Sequence, residues 1–359
     1  MKKYFFGVLC LNLFLVGCVN QRIIDHVQMV QVLGYDLKEE KVKGTVVYPT
    51  FEEQGKNIFH TLSTESETFD KVLINLNSKS SYPIDIGQLR TILFSKNFVE
   101  EQKLDEIIQY LSRDPIIGSR LQMGITEGDV VEVIKSSISE NVSAHFYDKI
   151  NQNIKYAGLP KMNLHLFLND FYSEGKDPYL PYFILEDGRA KIDGIALFKK
   201  GKYINHINLE QSYLLRLLSA PLKQGSYETK IEDDNKEGRI FLRSLDSKSK
   251  YKIKKVGKNP EINIKLFLKI QVKKVPNWID LSKEADIQKT NKIMEAHFNK
   301  QIEQLISIFQ EYDVDPIGLG ERLKANSRNW DYQRYLSFYP QMNISVDTEV
   351  DIIQTGLEE

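Results

Sequence analysis

The sequence predicts an α+β fold of more than one domain, with mixed sheets backed by helices and a C-terminal antiparallel sheet packed on a long helix. Three observations carry this expectation. In the first half, apolar stretches of strand length alternate with segments of helical spacing, the pattern of a layered structure. Near the C-terminus, residues 262–272 and 342–352 each alternate apolar and polar side chains, so each has one buried face and one wet face. Between them Met294, Phe298, Ile302, Leu305, Phe309 and Tyr312 fall on one face of a helix expected over 282–312.

At the N-terminus, Lys2 and Lys3 precede an apolar run from Tyr4 to Val16, broken only by Gly7 and Asn12. The run ends in Leu15-Val16-Gly17-Cys18. A charged start, a short apolar core and a small residue before the cut make a secretory signal over residues 1–17. A cysteine directly after Leu-Val-Gly makes it a lipobox, in which the Cys18 thiol takes a diacylglyceryl group and cleavage leaves it N-terminal. Spanning a bilayer would need about 20 apolar residues, more than this run supplies. Residues 19–25 then form a short polar tether.

Behind the tether, Val27–Leu33 and Val42–Tyr48 read as two strands around the turn Lys38-Glu39-Glu40-Lys41. Thr64-Glu65-Ser66-Glu67 reads as a capping box opening a helix with Phe69, Val72, Leu73 and Leu76 inward. Ile86–Phe94 is expected as a strand. A helix carrying Leu104, Ile107, Ile108 and Leu111 stops at Asp114-Pro115. Leu121–Ile125 is another strand, with a helix from about Asp129. Asn141–Tyr172 is helical in two segments divided by Pro160, and Ser173–Pro181 is turn-rich. Ile192–Phe198 and Tyr203–Ile207 flank a hairpin at Lys199-Lys200-Gly201-Lys202. Asn208 caps the next helix with Gln211 at its third position, and Pro221 stops it. Tyr227–Ile231, Ile240–Leu245, Tyr251–Val256 and Ile262–Val272 are expected as four strands. The long helix closes at Asp315-Pro316. These elements divide into an N-terminal region over 18–190 and a C-terminal α+β domain over 191–359. If the strands at 262–272 and 342–352 are neighbours, Lys265 and Lys269 meet Asp347, Glu349 and Asp351 across the ladder, and Lys269 with Glu349 is the pair chosen for a charge swap.

Charge is nearly balanced, with 48 Lys+Arg against 49 Asp+Glu. Such a balance gives no support to nucleic-acid binding. Of the two cysteines, Cys10 lies in the signal and Cys18 takes lipid, so no free thiol and no disulfide is expected in the mature chain. Signatures of catalysis are missing: there is no HExxH, GxSxG, GxxxxGK[ST] or GxGxxG. The six histidines show no ligand spacing, and His297 reads as a residue at the edge of a core. Gly318-Leu319-Gly320 reads as a turn, and Glu232, Asp233 and Asp234 as a solvated loop. No enzyme activity, cofactor or metal is therefore expected. Lys248, Lys250, Lys252 and Lys254 alternate along a strand and put four ammonium groups on one face, either a solvated face or a contact with anionic headgroups or an acidic partner.

Taken together, several short motifs resemble the C-subunit lipoproteins of spore nutrient germinant receptors, the Ger(x)C family, over about residues 18–356. They are Gly34-Tyr35-Asp36, Gly87-Gln88-Leu89-Arg90, Ser112-Arg113-Asp114-Pro115, Gly194-Ile195-Ala196-Leu197-Phe198-Lys199, Asp315-Pro316-Ile317-Gly318-Leu319-Gly320, and Trp330 through Tyr339-Pro340. Val19 and Asn20 stand where the family often has Trp, and Gln88 replaces a frequent His. The resemblance implies a non-enzymatic subunit, anchored through Cys18 on the outer face of the spore inner membrane, beside membrane-embedded A and B subunits. It carries over no catalytic or ligand residue. The alternative function weighed is a substrate-binding lipoprotein of a membrane transporter, which would show repeated βα units in two lobes.

Overall fold

The structure, a computed structural model, describes residues 27–51, 57–102, 104–138, 145–233, 236–254 and 260–355. The signal, Cys18 and the tether lie outside these residues.

In chain order the N-terminal half comprises β1 (Gln28–Met29), β2 (Val32–Lys38), β3 (Lys41–Phe51), β4 (Asn57–Ser66) and α1 (Lys71–Lys79). β5 (Ile84–Asp85), β6 (Thr91–Ser95), α2 (Lys96–Glu101), α3 (Leu104–Arg113), β7 (Gln122–Thr126) and α4 (Val130–Ile138) follow. α5 (His145–Gln152) runs into a π-helical turn at Asn153–Ala157, and α6 (Leu164–Tyr172) leads to β8 (Tyr179–Glu186), β9 (Arg189–Lys199) and β10 (Lys202–Asn208). The second half holds α7 (Leu209–Ser219), β11 (Ser226–Asp233), β12 (Lys236–Lys254), β13 (Glu261–Lys274), α8 (Glu284–Glu311), α9 (Leu319–Ala325), α10 (Tyr332–Phe338) and β14 (Asn343–Thr355).

Eight strands form one sheet in the order β10-β9-β8-β7-β6-β2-β3-β4. Its centre is parallel, from β2 through β6 and β7 to β8, and antiparallel hairpins extend it at both edges. β6 and β7 are buried along their whole length, as strands covered on both faces must be. Two-residue turns join three of the hairpins. Glu39 and Glu40 (φ 49° and 64°), Asp187 and Gly188 (50° and 73°), and Lys200 and Gly201 (47° and 77°) all take left-handed backbone. Such turns match the twist of the strands they connect. The sheet runs on through residue 190, where the sequence places a domain division: β8 pairs with β9 from Glu186↔Arg189 to Tyr179↔Leu197.

The second sheet has the order β11-β12-β13-β14. Ile262, Ile264, Leu266, Leu268, Ile270 and Val272 of β13 are all buried, and α8 covers the same face with Met294, Phe298, Ile302, Leu305 and Phe309. The expected alternation is thus present. Three strands are antiparallel as expected, and β14 joins parallel to β13, from Glu261↔Asn343 onward. α8 has 28 residues and is therefore about 42 Å long at 1.5 Å per residue, so it returns the chain to the start of β13. A strand that follows such a crossover lies parallel to its neighbour.

Other expectations need correction. Thr64 and Ser66 belong to β4, whose inward residues they are, and the first helix begins at Lys71 after Asp70 with no side-chain cap. Of the strand expected over Ile86–Phe94, residues 86–90 form a turn region and the strand runs over Thr91–Ser95: Asp85 Oδ1 accepts the Gly87 amide at 2.7 Å. The strands expected at 240–245 and 251–256 are one strand, β12, of 19 residues. Its register slips between Ser244 and Asp246, which masks the period. The capping box at Asn208 and Gln211 is present in both directions, at 2.9 and 3.0 Å.

α7 lies between the two sheets. It packs against β9 and β10 on one side and β12 on the other. Its Leu217 and Leu218 carbonyls accept hydrogen bonds from Ser249 Oγ and Tyr251 Oη at 2.7 and 2.8 Å.

Candidate functional site: a buried acidic joint

Where β8 begins, two Asp-Pro dipeptides face each other. Proline has no N–H and disfavours helix in the residue before it, so each aspartate sits in an extended corner with its own amide free to bond elsewhere. The Asp177 amide donates to the Asp315 carbonyl at 2.9 Å, and the Asp315 amide donates to Asp177 Oδ2 at 2.7 Å. Both oxygens of Asp315 accept. Oδ1 takes the Gly318 amide at 2.9 Å, while Oδ2 takes the Gly320 amide at 2.8 Å and the Tyr335 hydroxyl at 2.7 Å. A carboxyl that only accepts is held as carboxylate. Gly318, at φ +78°, supplies the left-handed turn that aims these amides.

Lys199 closes the joint from β9. Its ammonium lies 3.9 Å from Asp177 and 3.1 Å from the Asp313 carboxylate, and it also donates to the Asp313 carbonyl. Around this core, Tyr339 donates to the Val314 carbonyl at 2.7 Å. Glu174 receives Trp330 Nε1 and Lys324 Nζ, each at 3.0 Å. Gly175 and Gly320 touch backbone to backbone: a Cβ on Gly175 would lie 2.5 Å from the Gly320 carbonyl carbon. Arg322 stacks over the Tyr251 ring at 3.7 Å and ties the joint to β12.

Burial pushes the carboxyl of Asp177 up to about 7, against the pull of the Lys199 ammonium and the Asp315 amide. Burial likewise raises Asp315, opposed by the Gly320, Leu319 and Gly318 amides and the Tyr335 hydroxyl. The joint locks β8 and β9 of the large sheet to the segment that follows α8.

Three of the six motifs that carry the family resemblance meet here. Lys199 ends the 194–199 block, Asp315 to Gly320 is the second, and Trp330, Tyr335 and Tyr339 belong to the third. Gly318-Leu319-Gly320, expected as a turn, instead opens α9 with Gly318 at its N-cap, and its amides serve the carboxylate. Asp177 escaped the sequence reading. Its signal was the repeated Asp-Pro, visible only once 315–316 is seen to have a partner. Asp36 anchors elsewhere: its Oδ1 accepts the Val130 amide at the start of α4 at 2.7 Å.

Other singled-out residues stay apart from the joint. Cys18 lies outside the described residues, as does Asp234. Asp233, expected in a solvated loop, is instead half-buried at the end of β11 and pairs with Lys289 of α8. His297 takes a hydrogen bond with Tyr227 at 3.0 Å, and burial with nearby Lys300 lowers it to about 4. Lys248, Lys250, Lys252 and Lys254 are exposed on one face of β12, with Lys250 over the Phe267 ring at 5.1 Å. Across β13 and β14, Lys265 faces Asp347 and Lys269 faces Asp351. Lys265 reaches Glu349 at 3.2 Å, so the lysine opposite Glu349's carboxylate is Lys265 and not Lys269. Among the described residues no cluster of three or more His, Cys, Asp or Glu is arranged to hold a metal ion. A cavity of about 390 Å³ lies between the π-helical turn and β11, lined by Tyr156, Leu209, Glu210 and Tyr227 among others.

The family model described as the spore germination protein N-terminal domain matches residues 20–185, and that described as spore germination B3/GerAC-like, C-terminal, matches 193–356. Spore germination protein GerQC of Bacillus cereus is 29% identical over 362 residues, covering 100% of both chains. Spore germination protein B3 of Bacillus subtilis (strain 168) is 21% identical, over 95% of this chain and 93% of that one. The crystal structure of the GerBC protein shares the fold at a TM-score of 0.60, with 16% identity, over 90% of this chain and 97% of that one. The chain belongs to the GerAC-like family of spore germination proteins.

Proposed function

We propose that this protein is the C subunit of a spore nutrient germinant receptor, anchored by a diacylglyceryl group on Cys18 at the outer face of the spore inner membrane. It works beside membrane-embedded A and B subunits and performs no catalysis itself. The observation that carries this reading is the end-to-end match with a spore germination protein, 100% of both chains. Anchorage rests on the Leu15-Val16-Gly17-Cys18 motif. No helix among the described residues is long and apolar enough to cross a membrane, which leaves lipid as the attachment this reading requires. A single acyl chain holds only marginally, whereas the two of a diacylglyceryl group anchor stably.

The test is membrane fractionation of Cys18→Ala, expressed with and without the polytopic subunits. Without them the variant is expected in the soluble fraction, folded by circular dichroism. Persistence in the membrane fraction without partners refutes the lipid anchor. Retention only when partners are present measures the protein–protein contact. Spores lacking the chain are expected to lose response to one set of nutrients, and an unaltered response refutes the receptor assignment.

A further inference from the structure

At one end of the large sheet the parallel strands β2, β6, β7 and β8 all begin. The Val32↔Thr91↔Gln122 row marks that end, and the Gln122 amide bonds back to the Arg90 carbonyl at 2.9 Å. Tyr179, at the start of β8, reaches the Lys161 carbonyl at 3.4 Å. Here the chain also comes in from the tether: the Gln28 amide donates to the Pro83 carbonyl at 2.9 Å. Exposed on this end are Tyr82 (46%) and Ile116 (56%), with Arg90, Arg120 and Lys161 exposed around them. The tips bearing them adjoin, since a Cβ on Gly87 would stand 3.5 Å from Ile116. Of the carboxylates at this end, Asp85 and Asp114 accept the Gly87 and Ile116 amides at 2.7 and 2.9 Å, Asp177 is buried, and Asp313 and Glu174 are paired with Lys199 and Lys324.

We propose that this end of the sheet rests on the bilayer surface, with Tyr82 and Ile116 at headgroup level and Arg90, Arg120 and Lys161 against anionic lipid. The proposal rests on the lipid anchor at Cys18 and adds an orientation to it. Nine residue steps separate Cys18 from Val27 and span about 30 Å at most, so this end cannot stray far from the membrane. An aromatic ring and an aliphatic side chain ringed by cations are what an anionic interface takes up. The lysine row of β12 is a poorer candidate. Asp347, Glu349 and Asp351 of β14 stand two strands away, about 10 Å, so a flat anionic surface would meet both signs of charge.

The lipidated chain carries no free thiol, so Ile116→Cys accepts a single environment-sensitive fluorophore. Lys38→Cys, at the far end of β2 and about 20 Å away along the strand, is the control. Both are reconstituted in phosphatidylcholine vesicles, with and without phosphatidylglycerol, containing a headgroup-level spin-labelled lipid as quencher. The label at 116 is expected to be quenched and blue-shifted in anionic vesicles and the label at 38 to stay water-like. Replacing Arg90 and Arg120 by Gln should lower the quenching about fivefold for each charge removed. A label at 116 that remains in water while the protein floats with the vesicles overturns the proposal and leaves the anchor standing. Shielding of 116 only after the membrane subunits are added assigns the patch to a protein partner and also overturns it. If the parent chain labels at Cys18 and does not float with neutral vesicles, the anchor reading fails. Flotation with anionic vesicles then decides the patch alone: binding supports it, and no binding overturns it.

Discussion

Replacing Tyr335 by Phe removes one oxygen and leaves the ring, which is fully buried among Trp330, Phe338 and Tyr339, in place. The hydroxyl donates to a carboxylate oxygen at 2.7 Å, in a site where burial has already raised Asp315. A hydrogen bond to a charged group contributes about 1.5–3 kcal/mol, against about 1 kcal/mol for a neutral pair. Asp315 Oδ2 keeps the Gly320 amide, so the expected loss is about 2 kcal/mol. Tyr339 provides an internal standard. It is equally buried and its hydroxyl donates at the same 2.7 Å, to the neutral Val314 carbonyl, so Tyr339→Phe should cost about 1 kcal/mol. Urea unfolding of the two variants, followed by tyrosine fluorescence and far-ultraviolet circular dichroism together, gives the comparison. Tyr335→Phe costing no more than Tyr339→Phe would mean that the joint is not organised around a buried carboxylate.

Asp177→Asn tests the other half of the joint. The folded carboxyl, at about 7, holds its proton more tightly than the ordinary 3.8, so the fold loses stability as pH rises from about 4 to 7 and no further above that. The span is on the order of 4 kcal/mol as an upper bound. His297, lowered to about 4, acts oppositely, losing stability as pH falls from 6.5; the difference between parent and variant isolates Asp177, and a variant parallel to the parent at all pH values refutes the assignment. Val346→Asp places a charge under α8 opposite Ile264 and should unfold the second sheet, at a cost on the order of 5 kcal/mol, seen as loss of its urea transition. Exchanging the charges of Lys265 and Glu349, both largely exposed, should restore about 0.5 kcal/mol relative to the summed single variants, and additivity would mean that the pair does not interact.

Much of the fold was legible where one period ran uninterrupted. The six inward residues of β13 admit a single parity, because a slip by one would turn all of them to water. Parity does not fix a slide by two, and so the sequence allows Lys269 against Glu349 where the ladder sets it against Asp351. The parallel direction of β14 was recoverable in principle from the length of α8. The bulge of β12 near Ser244 breaks the alternation, so one strand reads as two in the sequence. Thr64 to Glu67 carries the letters of a capping box, yet tertiary pairing with β3 claims Thr64 and Ser66 for a strand. The joint was the least legible part. Its bonds join residues 138 apart through backbone amides, and no local pattern announces an amide's distant acceptor.

The placement of α7 has a mechanical corollary. One face of that helix belongs to each sheet, and Tyr213 within it is hydrogen-bonded to Ser244 while Gly158 of the preceding half presses on its ring. A hinge needs a section where few contacts cross; here a shared helix and a network of buried polar bonds cross side by side, and the two restrain different axes of rotation. A displacement imposed at one sheet is therefore passed to the other as a tilt of the whole body, with little bending in between. Amide exchange along α7 would then slow or quicken in step with both sheets at once.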